Sequence, residues 1–339
     1  MLKLVNEARV QATARLAAAS VSLSGLFAVN KPPGISCAGV LDYLKRNLGM
    51  ENNAMPFAEH FEREEGLRKT GKKVFRRKYP STLRVGHAGT LDVEAAGVLV
   101  LGVNNGCKLL SDYLVGDKSY LATGRLGVAT DSYDAEGKIT DVSPTESVTS
   151  DMILNVIPQF VGSIKQIPPL YSAIRMDGKR LYEYMREGHP IPDTIKPRNV
   201  KIDDIKLVYY KQQLSQTFGK CVAMPANCIE YFSSGKYKWN KGLQNKKLCV
   251  GDSLFPYVNQ PNAPTFQLLV QSGGGVYIRS LIHDIGMQLK CNATMITLVR
   301  TSQGPFILGR DTIDVHDLPY IDKIIGAMRH TEQVLNGNS

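Results

Sequence analysis

The stretch Gly86-His87-Ala88-Gly89-Thr90-Leu91-Asp92, continuing as Val93-Glu94-Ala95-Ala96-Gly97, sets an imidazole, a hydroxyl and a carboxylate among glycines and alanines. Small residues let a large ligand approach the backbone closely. A functional loop fits this pattern. Asp92 on its own also fits the cap of a helical turn starting near Val93, and His87 on its own fits a hydrogen-bonded structural imidazole. Composition and spacing leave both pairs of readings open.

Working outward, the run from Thr82 into Gly86 reads as a strand, and Val98 to Val103 is a short apolar stretch typical of a buried one. Upstream, Leu23 to Asn30 reads as a strand that must stop at Lys31-Pro32-Pro33-Gly34. Ser36 is placed to cap a helix whose Val40, Leu41, Leu44 and Leu48 recur at helical spacing up to Gly49. Downstream, Leu109, Leu110, Tyr113 and Leu114 form one helical face, and Tyr120 to Val128 is another strand. Asp131, Asp134 and Gly137 mark a turn-rich loop. Val148 to Phe160 and Lys179 to Arg186 read as helical, whereas Pro168 and Pro169 interrupt the segment between them. Phe266 to Val270 and Val276 to Leu281 frame Gly273-Gly274-Gly275, after which Leu281, Ile282, Ile285 and Leu289 make an apolar helical face. Strand and helix signals alternate, so the fold class is α/β (α+β).

The 339 residues, 43% of them hydrophobic, can furnish a sizeable core. A formal net charge of +10 favours a polyanionic partner, because clustered Lys and Arg release counterions from phosphates, although a basic protein without such a role has the same charge. Much of that charge lies in one place. From Gly66 to Arg84 the chain carries Arg68, Lys69, Lys72, Lys73, Arg76, Arg77, Lys78 and Arg84 with no acid, interleaved with Phe75 and Tyr79. This is an RNA-contacting loop or a solvated insertion. Residues 211 to 262, polar and without a period, read as a second insertion. Residues 1 to 20 hold Lys3, Arg9 and Arg15 against Glu7 among many Ala and Leu, as in a mitochondrial targeting segment or an ordinary N-terminal helix.

Several functions lose support. The six cysteines show no metal-ligand spacing and read as reduced thiols of an intracellular protein, so no metal site is expected. No apolar run approaches the roughly 20 residues that span a bilayer, and a soluble protein is expected. There is no phosphate-binding Gly-x-x-x-x-Gly-Lys-Ser/Thr, no Gly-x-Gly-x-x-Gly and no Gly-x-Ser-x-Gly, against nucleotide hydrolysis, dinucleotide redox chemistry and serine hydrolysis.

The segment around Asp92 resembles the catalytic motif of the TruB-type tRNA pseudouridine-55 synthases, Gly-His-x-Gly-Thr-Leu-Asp-Pro-x-Ala-x-Gly. Companion motifs follow in family order: Lys31-Pro32-x-Gly34-Ile35-Ser36, Lys118-x-Tyr120, Leu126-Gly127-x-x-Thr130-Asp131-x-x-Asp134-x-x-Gly137, and Gln166-Ile167-Pro168-Pro169-Leu170-Tyr171-Ser172-Ala173 with Gly178, Lys179, Arg180 and Tyr182. Tyr277-Ile278-Arg279-Ser280-Leu281 and Leu298-x-Arg300-Thr301 complete the set, so the resemblance runs from about Gly25 to Leu308. Val93 departs from the usual proline, Cys37 from a common serine and Val276 from a frequent threonine. With the insertions at 50–84 and 211–262, the chain is similar to the eukaryotic branch. Fewer than forty residues follow the last motif, so the PUA-type RNA-binding module common in bacterial members is expected to be absent.

The resemblance implies a pseudouridine synthase fold, a mixed, largely antiparallel central sheet with flanking helices and a catalytic cleft. It implies one catalytic domain over 23–310 carrying the two insertions, after an N-terminal extension (1–22) and before a C-terminal tail (311–339). The implied enzyme is an isomerase turning the T-loop uridine of tRNA into pseudouridine, with tRNA (its T-arm) as partner, no cofactor and no metal. It would act as a monomer in the nucleus and cytoplasm, the mitochondrion, or both.

The reaction breaks the N1–C1′ bond, turns the uracil and rejoins it through C5. Asp92 falls on the family's carboxylate, which attacks C1′ or takes the C2′ proton. A carboxylate ionised in a dry pocket needs a cation, and by resemblance that is Arg279. Tyr120 falls on the family's tyrosine, which the resemblance implies stacks on the flipped uracil and assists removal of the C5 proton. The resemblance also implies that His87 fills the space left by the base, that Leu298 lines the uracil pocket, and that Lys31 and Lys118 support substrate binding. A non-catalytic RNA-folding protein on the same scaffold is the rival class, and intact Asp92, Tyr120 and Arg279 argue against it. A DNA-binding basic protein would show no preference for a T-loop over duplex DNA.

Overall fold

The computed structural model of the chain describes residues 23–48, 55–69, 83–191, 194–211 and 264–337. The candidate targeting segment, the basic stretch from Thr70 to Thr82 and the 211–262 insertion beyond Lys211 lie outside these residues. Two compact units form, one from residues 23–116 and 300–337, the other from 117–211 and 264–299.

The first unit opens with β1 (Gly25–Lys31), α1 (Cys37–Asn47), α2 (Phe57–Lys69), β2 (Val85–His87), β3 (Ala96–Val103) and α3 (Leu110–Val115). β3 pairs antiparallel with β1 from Lys31↔Gly97 to Gly25↔Val103, and also with β2. Bonded on both edges, it buries all of its residues, as its unbroken apolar run predicts. The Ser36 side chain caps α1 by accepting from Gly39 N–H at 3.0 Å. α2 lies inside the stretch read from sequence as an insertion, and it docks on α1 through an edge-to-face contact of Phe57 with Tyr43, centroids 5.1 Å apart. The apolar face expected of α3 is not buried: Leu109 and Leu114 stay about half exposed.

The second unit comprises β4 (Lys118–Leu126), β5 (Val128–Thr130), β6 (Ile139–Val142), α4 (Ser150–Val156), β7 (Gly162–Gln166), β8 (Arg175–Met176), β9 (Lys179–Arg180), α5 (Leu181–Glu187), β10 (Arg198–Lys211), β11 (Thr265–Ser272), α6 (Ile278–Gln288) and the residues of β12 (Ala293–Gln303) up to Val299. β4, β11, β10 and β7 follow one another in antiparallel order. Leu281, Ile282 and Ile285 of α6 are fully buried, and the Ile282 side chain covers the β4–β11 face at Gly124 and Phe266. The strand expected over 120–128 is divided at Gly127, so β4 and β5 are separate elements.

The chain then returns to the first unit with the end of β12, β13 (Phe306–Ile307), β14 (Thr312–Asp314) and α7 (Ile321–Leu335). β14 adds to β1 in parallel, and α7 packs on β1 with Met328 beside Gly25. Residues read as a tail are therefore structured here. Both units are mixed α/β, with largely antiparallel sheets and flanking helices, the class expected from sequence. No described helix is long and apolar enough to cross a membrane.

Candidate active site

In the first unit, Asp92 sits in a short turn in which Ala95 N–H donates to its carbonyl at 3.2 Å. β3 begins at Ala96, so no helix follows Asp92 and the helix-cap alternative falls. Both neighbours of Asp92 are tied to the turn between β1 and α1. Leu91 N–H donates to the Cys37 sulfur at 3.2 Å, and the Cys37 thiol faces the Leu91 carbonyl at 3.5 Å. Val93 accepts from Gly34 N–H at 2.8 Å and from the Lys31 ammonium at 3.0 Å.

Lys31 is fully buried, and its three donors are spent on the carbonyls of Pro32 (2.9 Å), Ile35 (2.8 Å) and Val93. Burial pushes its pKa down from 10.5 to about 8, with Cys37, Glu94 and Asp92 pulling it back and Arg300 adding to the fall. A neutral amine would leave one of those carbonyls without a donor, so the hydrogen-bond set fits the ammonium.

The upstream side of the loop is held from β12. Arg300, almost wholly buried, donates from Nε to the Val98 carbonyl at 2.7 Å and from Nη2 to the Gly89 carbonyl at 3.3 Å. Gln303 donates to the carbonyls of Ala88 and Tyr113. Gly97 makes this possible: its φ is +107°, and a Cβ there would lie 2.2 Å from the Arg300 carbonyl oxygen. His87 ends β2, half-buried.

In the second unit, Arg279 opens α6 and is 4% exposed. Its Nη1 donates to the Ser132 carbonyl at 3.2 Å and to Asp134 Oδ2 at 3.3 Å, while Nη2 donates to the Tyr171 carbonyl at 3.0 Å. The loop it grips is braced internally: Thr130 Oγ1 donates to the Asp134 carbonyl at 2.7 Å, and Glu136 N–H to Asp134 Oδ1 at 3.1 Å. Gln166 exchanges two hydrogen bonds with the backbone of Tyr277, fixing the proline-rich run against the start of α6. Lys118 and Tyr120, two apart on β4, are buried on one face of that strand, and Leu298 is buried on β12. Among the described residues, no group of His, Cys, Asp and Glu is arranged to hold a metal ion.

In the sequence Asp134, Tyr171 and Arg300 are motif positions without an assigned role, and Gln303 belongs to none of the motifs. Their roles as backbone and side-chain clamps lie in long-range contacts that a motif does not encode. Cys37, which stands where a serine is common, is the partner of Leu91.

Residues 72–224 match the model of the TruB family pseudouridylate synthase N-terminal domain, and 279–334 that of the tRNA pseudouridylate synthase B C-terminal domain. Human pseudouridylate synthase TRUB1 is 35% identical over 329 residues, which is 96% of this chain and 73% of that protein. The chain belongs to the TruB family. A second relative, tRNA pseudouridine synthase 4 of Saccharomyces cerevisiae, is 33% identical over 325 residues, 86% of this chain and 79% of that protein. Among solved structures, a Cbf5-Nop10-Gar1 complex aligns with 91% of this chain and 59% of the solved chain at 21% identity and a TM-score of 0.47. As a TruB-family pseudouridylate synthase the chain is an isomerase, and the strand, turn and strand around Asp92 lie within the matched N-terminal domain.

Proposed function

We propose that this TruB-family enzyme isomerises the T-loop uridine of tRNA, position 55, with Asp92 as the catalytic carboxylate. The observation that carries this reading is the double clamp: Leu91 and Val93 are both pinned to the 31–37 turn, leaving the carboxylate between them on a fixed backbone.

The N1–C1′ bond breaks, C5–C1′ forms, the C5 proton leaves and N1 gains one, so the product is an isomer. Asp92 either bonds C1′ until C5 displaces it or removes the C2′ proton and returns it. Deuterium at C2′ separates these, since only proton abstraction gives a primary isotope effect. Arg279 holds the charge of the site, Tyr120 stacks on the uracil, Leu298 lines its pocket, and His87, Lys31 and Lys118 support the bound RNA. The enzyme works as a monomer on the T-arm without a cofactor, in the nucleus and cytoplasm, the mitochondrion, or both. Release of tritium from a tRNA transcript labelled at uracil C5 tests this reading; a transcript lacking the T-loop uridine that still releases label contradicts it.

A further inference from the structure

The loop that Arg279 grips contains a strained residue. Tyr133 has a φ of 63°, in the left-handed region that bulky L-residues rarely enter, so neighbouring contacts must hold it there. Two do. Its carbonyl accepts from Met295 N–H at 3.0 Å, and its ring stacks on His283, centroids 4.0 Å apart and planes within 14°. His283 lies one helical turn after Arg279 on α6, so the two side chains leave the same side of the helix. α6 therefore holds consecutive loop residues by two devices, the guanidinium on Ser132 and Asp134 and the imidazole on Tyr133 between them.

The structure uses the flat face of this imidazole and not its polar edge. His283 Nδ1 is buried without a hydrogen-bond partner, and burial lowers the ring's pKa, which favours the neutral form. A neutral ring packed on a phenol acts here as an aromatic surface.

We propose that His283 is a positioning residue of the synthase: by stacking on Tyr133 it keeps the 131–134 loop in the conformation from which Ser132 and Asp134 orient Arg279. The proposal rests on the reading of Arg279 as part of the catalytic site. It separates the role of the ring from that of a generic core residue, because any flat ring at 283 should serve, and because the stack becomes dispensable once residue 133 enters the left-handed region without strain.

The test uses the full chain and single-turnover tritium release from a C5-labelled tRNA transcript, with transcript affinity measured in parallel. His283→Ala should slow release about tenfold, the rate equivalent of one lost aromatic pair, at unchanged affinity. His283→Phe should return the rate to within about twofold of wild type. In a Tyr133→Gly background, where glycine adopts positive φ freely, adding His283→Ala should cost less than about twofold. If His283→Ala is not folded by circular dichroism, His283→Leu, which keeps volume without a ring, replaces it with the same expected loss. A wild-type rate for His283→Ala, an equal loss in His283→Phe, or an undiminished loss in the Tyr133→Gly background overturns the proposal. Arg279→Ala is run alongside: if it stays active, the reading of the site has failed instead.

Discussion

Lys31 and Val93 stand 62 positions apart in the chain, and the buried ammonium of the first donates to the carbonyl of the second at 3.0 Å. That bond ties the end of β1 to the residue following Asp92. The same ammonium closes the Pro32–Ile35 turn, so a buried charge does the work of several backbone hydrogen bonds. Its burial is costly, and the three carbonyls offset that cost.

Replacing Lys31 with Met should lower stability and turnover together, because the buried Ile35 carbonyl loses its ammonium donor, at about 1–3 kcal/mol, and Val93 keeps only the Gly34 N–H. A pH signature accompanies this. The folded pKa of about 8 lies below the unfolded 10.5, so between these values the unfolded chain binds the extra proton and stability rises with pH. Urea midpoints of the wild type should therefore gain on those of Lys31→Met between pH 8 and 10.5. A constant difference across that window contradicts the assignment of the shift to this residue.

Cys37 holds Leu91 by two contacts to one sulfur, and a hydroxyl can make both. Cys37→Ser should keep near-wild-type turnover. Cys37→Ala should lose about 1 kcal/mol of stability and reduce kcat more than it changes KM, since the loss falls on the backbone beside Asp92. Denaturant unfolding and steady-state kinetics on the same preparations measure both effects.

Gly97→Ala combines a forbidden φ with a Cβ 2.2 Å from the Arg300 carbonyl oxygen. Strand pairing at that point must open, at about 3 kcal/mol or more. A melting temperature within a degree of wild type contradicts the close approach.

Much of the fold was legible because periodicity and punctuation agree with packing: Ser36 caps α1, the 98–103 run is a buried strand, and the Leu281 face of α6 is core. β10 escaped reading because register shifts between Ile202 and Asp204 and between Leu207 and Tyr209 break the two-residue alternation that marks a strand. α2 escaped because its signal, Phe57, His60 and Phe61 at helical spacing, is drowned in charge from Glu62 to Glu65. For the candidate site, the motifs single out Asp92, Tyr120 and Arg279 by resemblance alone. The contacts that hold the Asp92 loop and Arg279 are long-range, and no spacing along the chain reports that Asp134 meets Arg279 or that Arg300 reaches Gly89.

Asp134→Asn keeps the shape of the side chain but removes its charge, leaving the buried Arg279 with a weaker partner. Turnover should fall by about ten- to a hundredfold, the scale of a weakened buried charge pair, and the melting temperature should fall with it. Arg279→Lys should do no better, because one ammonium cannot span Ser132, Asp134 and Tyr171 as the guanidinium fork does. Single-turnover rates of both variants measure this.

The most direct measurement is pseudouridine formation by Asp92→Ala on a T-loop transcript, with binding measured in the same experiment. Product formation should fall at least about a thousandfold, with RNA affinity within about threefold of wild type, because the clamped backbone of Leu91 and Val93 survives the change. Turnover retained by Asp92→Ala would contradict a catalytic role for this carboxylate.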